Sequence, residues 1–369
     1  MGDSLGATGA EVLIDTPRRL ASVDALRGWT VAAMLLVNDP GDWSHVYAPL
    51  EHSEWNGCTP TDLIFPFFLF VMGVSVALGL VPRVERGEDH AVLRRAALLR
   101  ALRIVLLGIA INLVAWWLLS GAHLRLPGVL QRIGLCFAGT ALFAIYARPR
   151  IWYIATASLL LGYWAILLAG GSLEPWINIA SGVDSLVFGS HVYLIDAASG
   201  RGHDPEGLLG TLPSLATSLL GLCAGTWLRA GRIRLLFLSS CAALLLALFW
   251  SQWLPFNKNL WTPSFALWCG GWAGLALFVF HYVTDLRGWP AWGRRFGVNA
   301  IAAYAGSELM QILLPALGWQ DPIYQHLFSN WITALAGPYV SSLSFALAFV
   351  LLWWLIVATM DRRQLYLKF

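Results

Sequence analysis

Charge is what this chain has least of. Charged residues make up 12% of its 369 positions, roughly half the ~25% of an ordinary soluble domain. Hydrophobic residues reach 58% and the mean hydropathy is +0.64, which excludes a soluble globular domain. The five cysteines, at 58, 136, 223, 241 and 269, form no CxxC pair and mostly sit in apolar runs. That excludes a disulfide framework or a zinc site and leaves them as small buried hydrophobes. No basic stripe with interleaved aromatics occurs, so nucleic acid is not an expected partner. No Asn-x-Ser/Thr sequon is present, which points to a bacterial inner membrane over a glycosylated compartment. The N-terminal stretch has no charged region leading into an apolar core, so no cleavable signal is expected. Gly6 stands where a myristoylation signal needs Ser or Thr. No short-period repeat and no Ser- or Pro-rich linker divides the chain. We read one domain over 1–369, with a short cytoplasmic tail at 1–21.

What is present is long apolar runs. Segments of about 20 residues, the length a bilayer core demands, fall near 22–39, 62–81, 98–118, 127–147, 151–170, 208–228, 233–253, 260–281, 297–317 and 339–360. Twenty tryptophans suit rings at both membrane interfaces. The expected fold is an all-α polytopic transmembrane bundle of about ten spans, with lipid as its surroundings. Of the 24 Lys and Arg residues, only Arg125, Arg132, Arg201 and Lys258 fall on one face if the N-terminus is cytoplasmic. By the positive-inside rule both termini are then cytoplasmic. His45, His52, His123, His191, His203 and His326 fall on the opposite, arginine-poor face. The outer segments 40–61, 171–207 and 318–338 are long enough to roof a cavity there.

Several clusters carry chemistry. His52 lies beside Glu54, Asn56 and Asp62 at the mouth of the second span, and an imidazole exchanges protons near neutral pH. This suggests catalysis or proton-coupled binding; a wet loop holding a histidine is the alternative. Asp24 and Arg27 are one turn apart, either an ion pair anchoring the first helix or a functional pair. Asn38 and Asp39 close that helix before Pro40 and Gly41. Gln131 and Arg132 begin the fourth span, where Arg132 requires an anionic partner: Glu206, another outer carboxylate, or a ligand. His203, Asp204 and Glu206 have no recognised metal-ligand spacing, so no metal is expected. Asn257, Lys258, Asn259 and Trp261 combine amides, an ammonium and an indole, as a sugar site or an interface anchor would. Asn299 and Glu308 lie in the ninth span, and an intramembrane acid is a functional candidate by default.

Seven segments now stand in order: SVDALRG (22–28), LVND (36–39), HSEWNGCTPTDLIFPFFLFVMG (52–73), PGVLQRIG (127–134), HDPEGLLGT (203–211), FNKNLW (256–261) and GVNAIAAYAGSE (297–308). Together they resemble the membrane catalytic domain of the heparan-α-glucosaminide N-acetyltransferase family. The resemblance implies an enzyme that uses cytosolic acetyl-CoA to acetylate an amino sugar across the membrane. It implies His52 as the catalytic histidine, with Asn38 and Asp62 as active-site partners. The lysosomal member's large N-terminal lumenal region has no counterpart here, and ten spans stand against its eleven. Free glucosamine, a hexosamine-containing fragment or an envelope glycan is therefore the expected acceptor instead of heparan. Family analogy leaves a homodimer open.

On this reading His52 serves as general base or forms an acetyl-imidazole. Asp62 orients it if the intervening turn folds back, and Asn38 donates to the oxyanion. Arg27, Arg100, Arg103, Gln131 and Arg132 are the candidates to hold CoA. Trp55, Asn56, Glu206, Asn257, Lys258, Trp261 and Glu308 are the candidates for the acceptor. A proton-coupled amino-sugar transporter, or an O-acetyltransferase of an envelope glycan, also fits the composition.

The orientation is testable by thiol labelling. With the five native cysteines replaced, Ser199→Cys should react with a membrane-impermeant maleimide in intact cells, with the histidine face outward. Arg232→Cys should react only after permeabilisation.

Overall fold

The computed structural model describes residues 20–367. Arg18, Arg19 and Lys368, counted above among the inner cations, lie outside the described residues, as does most of the expected tail. The described residues are mostly helical. The chain begins with α1 (Ala21–Asn38), α2 (Ile64–Gly79), α3 (Val81–Glu85), α4 (His90–Leu118), α5 (Val129–Tyr146), α6 (Pro149–Ala169) and α7 (Ile179–Phe188). A two-residue ribbon, β1 (Leu194–Ile195) antiparallel to β2 (Gly202–His203), follows. Then come α8 (Thr211–Arg229), α9 (Ile233–Trp250), α10 (Pro263–Phe280), α11 (Arg294–Val298) and α12 (Ala300–Ala316). The chain closes with α13 (Gln320–Tyr324), α14 (Asn330–Ala336) and α15 (Pro338–Arg362).

Helices dominate because a backbone in hydrocarbon must satisfy its own donors and acceptors. Their starts are marked locally. Asp89 caps α4 through the Ala91 N–H at 2.7 Å, and proline occupies the first turn of α6, α10 and α15. Among the described residues, eight helical stretches are long and apolar enough to cross a membrane. A ninth arises if α12 and the helical stretch 320–336, bent by 98°, count as one span. The sequence expectation of ten includes α1, whose Asp24, Arg27 and Asn38 lower its hydropathy below that test.

Burial sorts the helices into centre and periphery. α8 has 67% of its most apolar window buried, whereas α9 has 17% and presents Leu238, Leu245 and Phe249 outward. The centre is closed by α2 against α8. A side chain on Gly73 would collide with the Ser218 carbonyl, one on Gly221 with the Phe70 carbonyl, and one on Gly225 with Val74. Reciprocal small residues of this kind let two membrane helices approach until their backbones touch. The same device joins α1 to α11, where Gly28 abuts Gly293 and Gly297 abuts Asp24. Arg27 completes that joint, donating to Asp24 at 3.1 Å, the Gly297 carbonyl at 3.0 Å and Ser75 Oγ at 2.8 Å. The expected Asp24–Arg27 ion pair is present.

Three sequence expectations are corrected. Segment 318–338 is mostly helical (α13 and α14) and turns away from α12, because it is apolar enough to pack instead of looping. The connection after α9 runs from 251 to 262, longer than the gap left between the expected spans 233–253 and 260–281, because a proline-started α10 begins only at Pro263. Asn299, expected inside a span with Glu308, is the joint between α11 and α12 and is buried.

The α2–α8 contact sets a prediction. Gly221→Leu forces overpacking, which costs ~1–3 kcal/mol, so its melting temperature in detergent should fall. Gly162→Ala, on open surface of α6, should leave it unchanged.

Candidate active site

The segment before α2 folds back on itself around Asp62. Within Thr59-Pro-Thr-Asp62 the acid returns to the Thr59 N–H, the acidic half of a capping box, at 2.9 Å. The same oxygen, Oδ2, accepts from Thr59 Oγ1 at 3.1 Å, Ser53 N at 3.1 Å and Ser53 Oγ at 2.9 Å. Oδ1 meets His52 Nδ1 at 2.7 Å. A carboxylate surrounded by donors is acceptor-only, so Nδ1 carries the ring proton and Nε2 holds the free lone pair. The Asp62 side chain is fully buried, whereas that of His52 is half-exposed. The turn therefore presents a reactive edge from a fixed base.

Lys258 arrives from the connection between α9 and α10. Its Nζ is 3.1 Å from both His52 ring nitrogens and 3.9 Å from Asp62 Oδ1. Equal approach to both nitrogens sets the ammonium against the ring as a whole and leaves the in-plane Nε2 lone pair unclaimed. Burial pulls Lys258 below its ordinary pKa, with Glu206 and Asp62 acting the other way. Its turn is rigid: Asn257 donates to Asn56 Oδ1 at 3.1 Å and accepts the Leu260 N–H at 2.8 Å.

His52 opens on a cavity of about 720 Å³. Asn38 from α1, Gln131 from α5, and Tyr304, Glu308 and Gln311 from α12 line it. Gly108 and Asn112 of α4 line it as well; Gly108 is ten residues from the end of α4, about 15 Å along the axis. The lining thus reaches well down the length of α4 from its C-terminal end. A side pocket of about 200 Å³ shares Asn38, Trp43 and Gln311.

Segments 40–61 and 171–207 supply the roof, as expected; 318–338 contributes no lining residue. The roof is held by Arg125, which donates to Asp204 at 2.8 and 2.5 Å and also to Glu206. Asp204 additionally accepts the N–H groups of Tyr193 and Glu206, each at 2.9 Å. Burial pushes the Glu206 carboxyl up, but Arg125, Arg132 and Lys258 hold it below its usual range. His203 is buried between Ser181, at 2.9 Å, and the rings of Trp55 and Trp176. Burial pulls its pKa down to about 4.

The sequence candidates therefore divide. His52, Asn38, Trp55, Gln131, Glu206, Lys258 and Glu308 line one cavity, with Asp62 directly behind His52. Asn56 and Asn257 bond each other outside the lining. Trp261 was expected to offer a face at the outer edge, yet it is wholly buried. A left-handed backbone (φ 53°) turns it inward onto Phe65, Phe265 and Thr217. Arg132 is buried as well, bonded to the Gly207 carbonyl at 2.8 Å and lying over Trp261. Its expected partner Glu206 is taken by Arg125, which reaches it from the α4–α5 connection. Arg27, Arg100 and Arg103 lie outside the cavity lining; Arg100 covers the Phe137 ring and Arg103 is exposed.

Arg125, Asn112, Trp176, Tyr304 and Gln311 were missed. Asn112 had a readable signal, an amide inside an apolar run; it donates to the Arg125 and Pro127 carbonyls at 2.9 and 3.2 Å. Gln311 lies one turn beyond Glu308 and shares its face.

A family model described as "Heparan-alpha-glucosaminide N-acetyltransferase, catalytic" matches residues 19–253. The heparan-alpha-glucosaminide N-acetyltransferase of Homo sapiens is 30% identical over 363 residues, covering 81% of this chain and 54% of the human protein. That of Mus musculus is 28% identical, over 86% of this chain and 58% of the mouse protein. The chain spans just over half the length of these curated relatives.

The roof clamp yields its own prediction. Arg125→Leu strands two buried carboxylates, and breaking such a pair costs ~3–5 kcal/mol. Its thermal stability should fall well below that of Arg125→Leu combined with Asp204→Asn and Glu206→Gln.

Proposed function

Because the chain belongs to the heparan-alpha-glucosaminide N-acetyltransferase catalytic family, we propose that it transfers acetyl from cytosolic acetyl-CoA to an amino sugar. The acceptor is a glucosamine-type amine reaching the cavity from the outer, periplasmic side of a bacterial inner membrane. The observation that carries this reading is the Asp62–His52 pair, at 2.7 Å, facing a cavity that Asn38 also lines.

Acyl transfer to an amine needs a free nitrogen lone pair, a polarised thioester and alignment of the two. The free amine attacks the carbonyl carbon, and Nε2 of His52 takes the one proton that its nitrogen sheds. The C–N bond forms, the C–S bond breaks, and the imidazolium returns that proton to sulfur, so that CoA leaves as the thiol. Asp62 stabilises the imidazolium through Nδ1 and fixes the tautomer. Asn38, whose amide makes no hydrogen bond to protein among the described residues, is placed to donate to the developing oxyanion. In the stepwise version Nε2 itself takes the acetyl group and passes it to the amine.

The donor's shape matches the depth of the cavity. CoA's phosphates cannot enter hydrocarbon, whereas pantetheine is slim and uncharged. Arg103 and Arg100 stand five and eight residues below Gly108 on α4, about 8 and 12 Å further along the axis. A pantetheine arm between α4, α5 and α12 would connect those cations to His52. Arg27 is already spent on three partners and is the weakest of the CoA candidates.

Radiolabelled acetyl-CoA and glucosamine, supplied to the purified protein in nanodiscs, test the reading. Labelled N-acetylglucosamine should form. His52→Ala should abolish it, Asp62→Asn should lower kcat ~10²–10⁴-fold, and Asn38→Ala ~10²–10³-fold. Uptake of unmodified glucosamine into proteoliposomes lacking acetyl-CoA, with no acetylated product, would establish a transporter instead.

A further inference from the structure

We propose that Lys258 is a positioning residue for His52, its ammonium held against the imidazole so that the ring stays neutral and Nε2 remains available as a base. The proposal rests on the acetyl-transfer reading for its kinetic consequence, but not for its electrostatic one.

A buried carboxylate bonded to an imidazole favours the imidazolium, because an opposite charge within ~4–6 Å stabilises the charged form. The groups facing the ring are few. Asp62 lies behind Nδ1, Glu54 stands on the same segment and is exposed, and Arg125, Tyr193, His203, Glu206, Tyr304 and Glu308 line the same cavity. Arg125 is committed to Asp204 and Glu206. Lys258, at 3.1 Å from each ring nitrogen, is the cation in direct contact.

The lysine is placed by construction, not by the reach of a free side chain. The Trp261 N–H donates to the Lys258 carbonyl at 3.1 Å, and the Trp261 ring is locked in the core. Asn257 is pinned on the other side by Asn56 and the Leu260 N–H. Three residues of one short turn therefore serve a single end, to aim the fourth. The contact opposes protonation of the ring without occupying the in-plane lone pair, and it leaves Asp62 free to fix the tautomer. When His52 accepts a proton during the reaction, the same cation favours its prompt return.

Two measurements test this. In Lys258→Met the acid limb of the pH profile of kcat/KM should move up by about one to three pH units, with activity recovering at alkaline pH. Lys258→Arg should keep the limb near its wild-type position. Titration of 13C-histidine-labelled protein, with the His52 resonance assigned by His52→Gln, should show the same upward shift in Lys258→Met without any turnover. A uniformly lower kcat with an unmoved limb and an unmoved His52 resonance would overturn the proposal and leave Lys258 a structural residue. Lys258→Gln, closer to the lysine in polarity, supplies the comparison if the methionine variant fails to fold. Absence of acetyl transfer in the wild-type protein overturns the function proposed above, whereas an unshifted resonance overturns this inference alone.

Discussion

The mouth of the cavity depends on one buried carboxylate. Asp62 is the fixed point around which residues 52–62 close, and it holds both ends of that segment through five donors. Without it, a polar strand would trail across the membrane surface and His52 would sample water. With it, the histidine is carried by the start of a central helix, α2, whose far side is locked to α8 by contacts at glycines. Rigidity thus passes from the core of the bundle to a side chain at its mouth, with no long loop in between.

A second carboxylate system does the same for the roof. Asp204 and Glu206 converge on Arg125, and that pairing draws segment 171–207 over the cavity. The two systems differ in what they immobilise. Asp62 fixes a reactive ring, whereas Arg125 fixes a wall, and the wall brings Trp55, Trp176 and His203 into one aromatic cluster. Trp176 adopts a left-handed backbone (φ 66°), a conformation a bulky residue rarely takes. Such an arrangement persists only where the surroundings demand it.

Much of this was legible in the sequence. Apolar runs of membrane length located the helices, because hydrocarbon leaves the backbone few alternatives. Asp62 was read as meeting His52 only on condition that the intervening turn fold back, and the local bonds of Asp62 to Ser53 and Thr59 supply that turn. The failures share a cause, which is side-chain direction in irregular segments. Within FNKNLW the composition suggested a sugar face, yet Lys258 and Asn259 turn to the cavity while Asn257 and Trp261 turn into the core. No periodicity governs a turn with a positive φ at Trp261. Pairing was the other blind spot. Arg125 and Arg132 are seven residues apart, and only the path of the α4–α5 connection decides that the first meets Glu206 and the second a backbone carbonyl.

The placement of the mouth has a further consequence. Glu54, Trp55 and Trp176 line the same cavity as His52. On the function proposed above, an acceptor that enters past them leaves past them as product. Accumulated product would then compete with its precursor for that passage, and turnover would follow the rate at which the product is cleared.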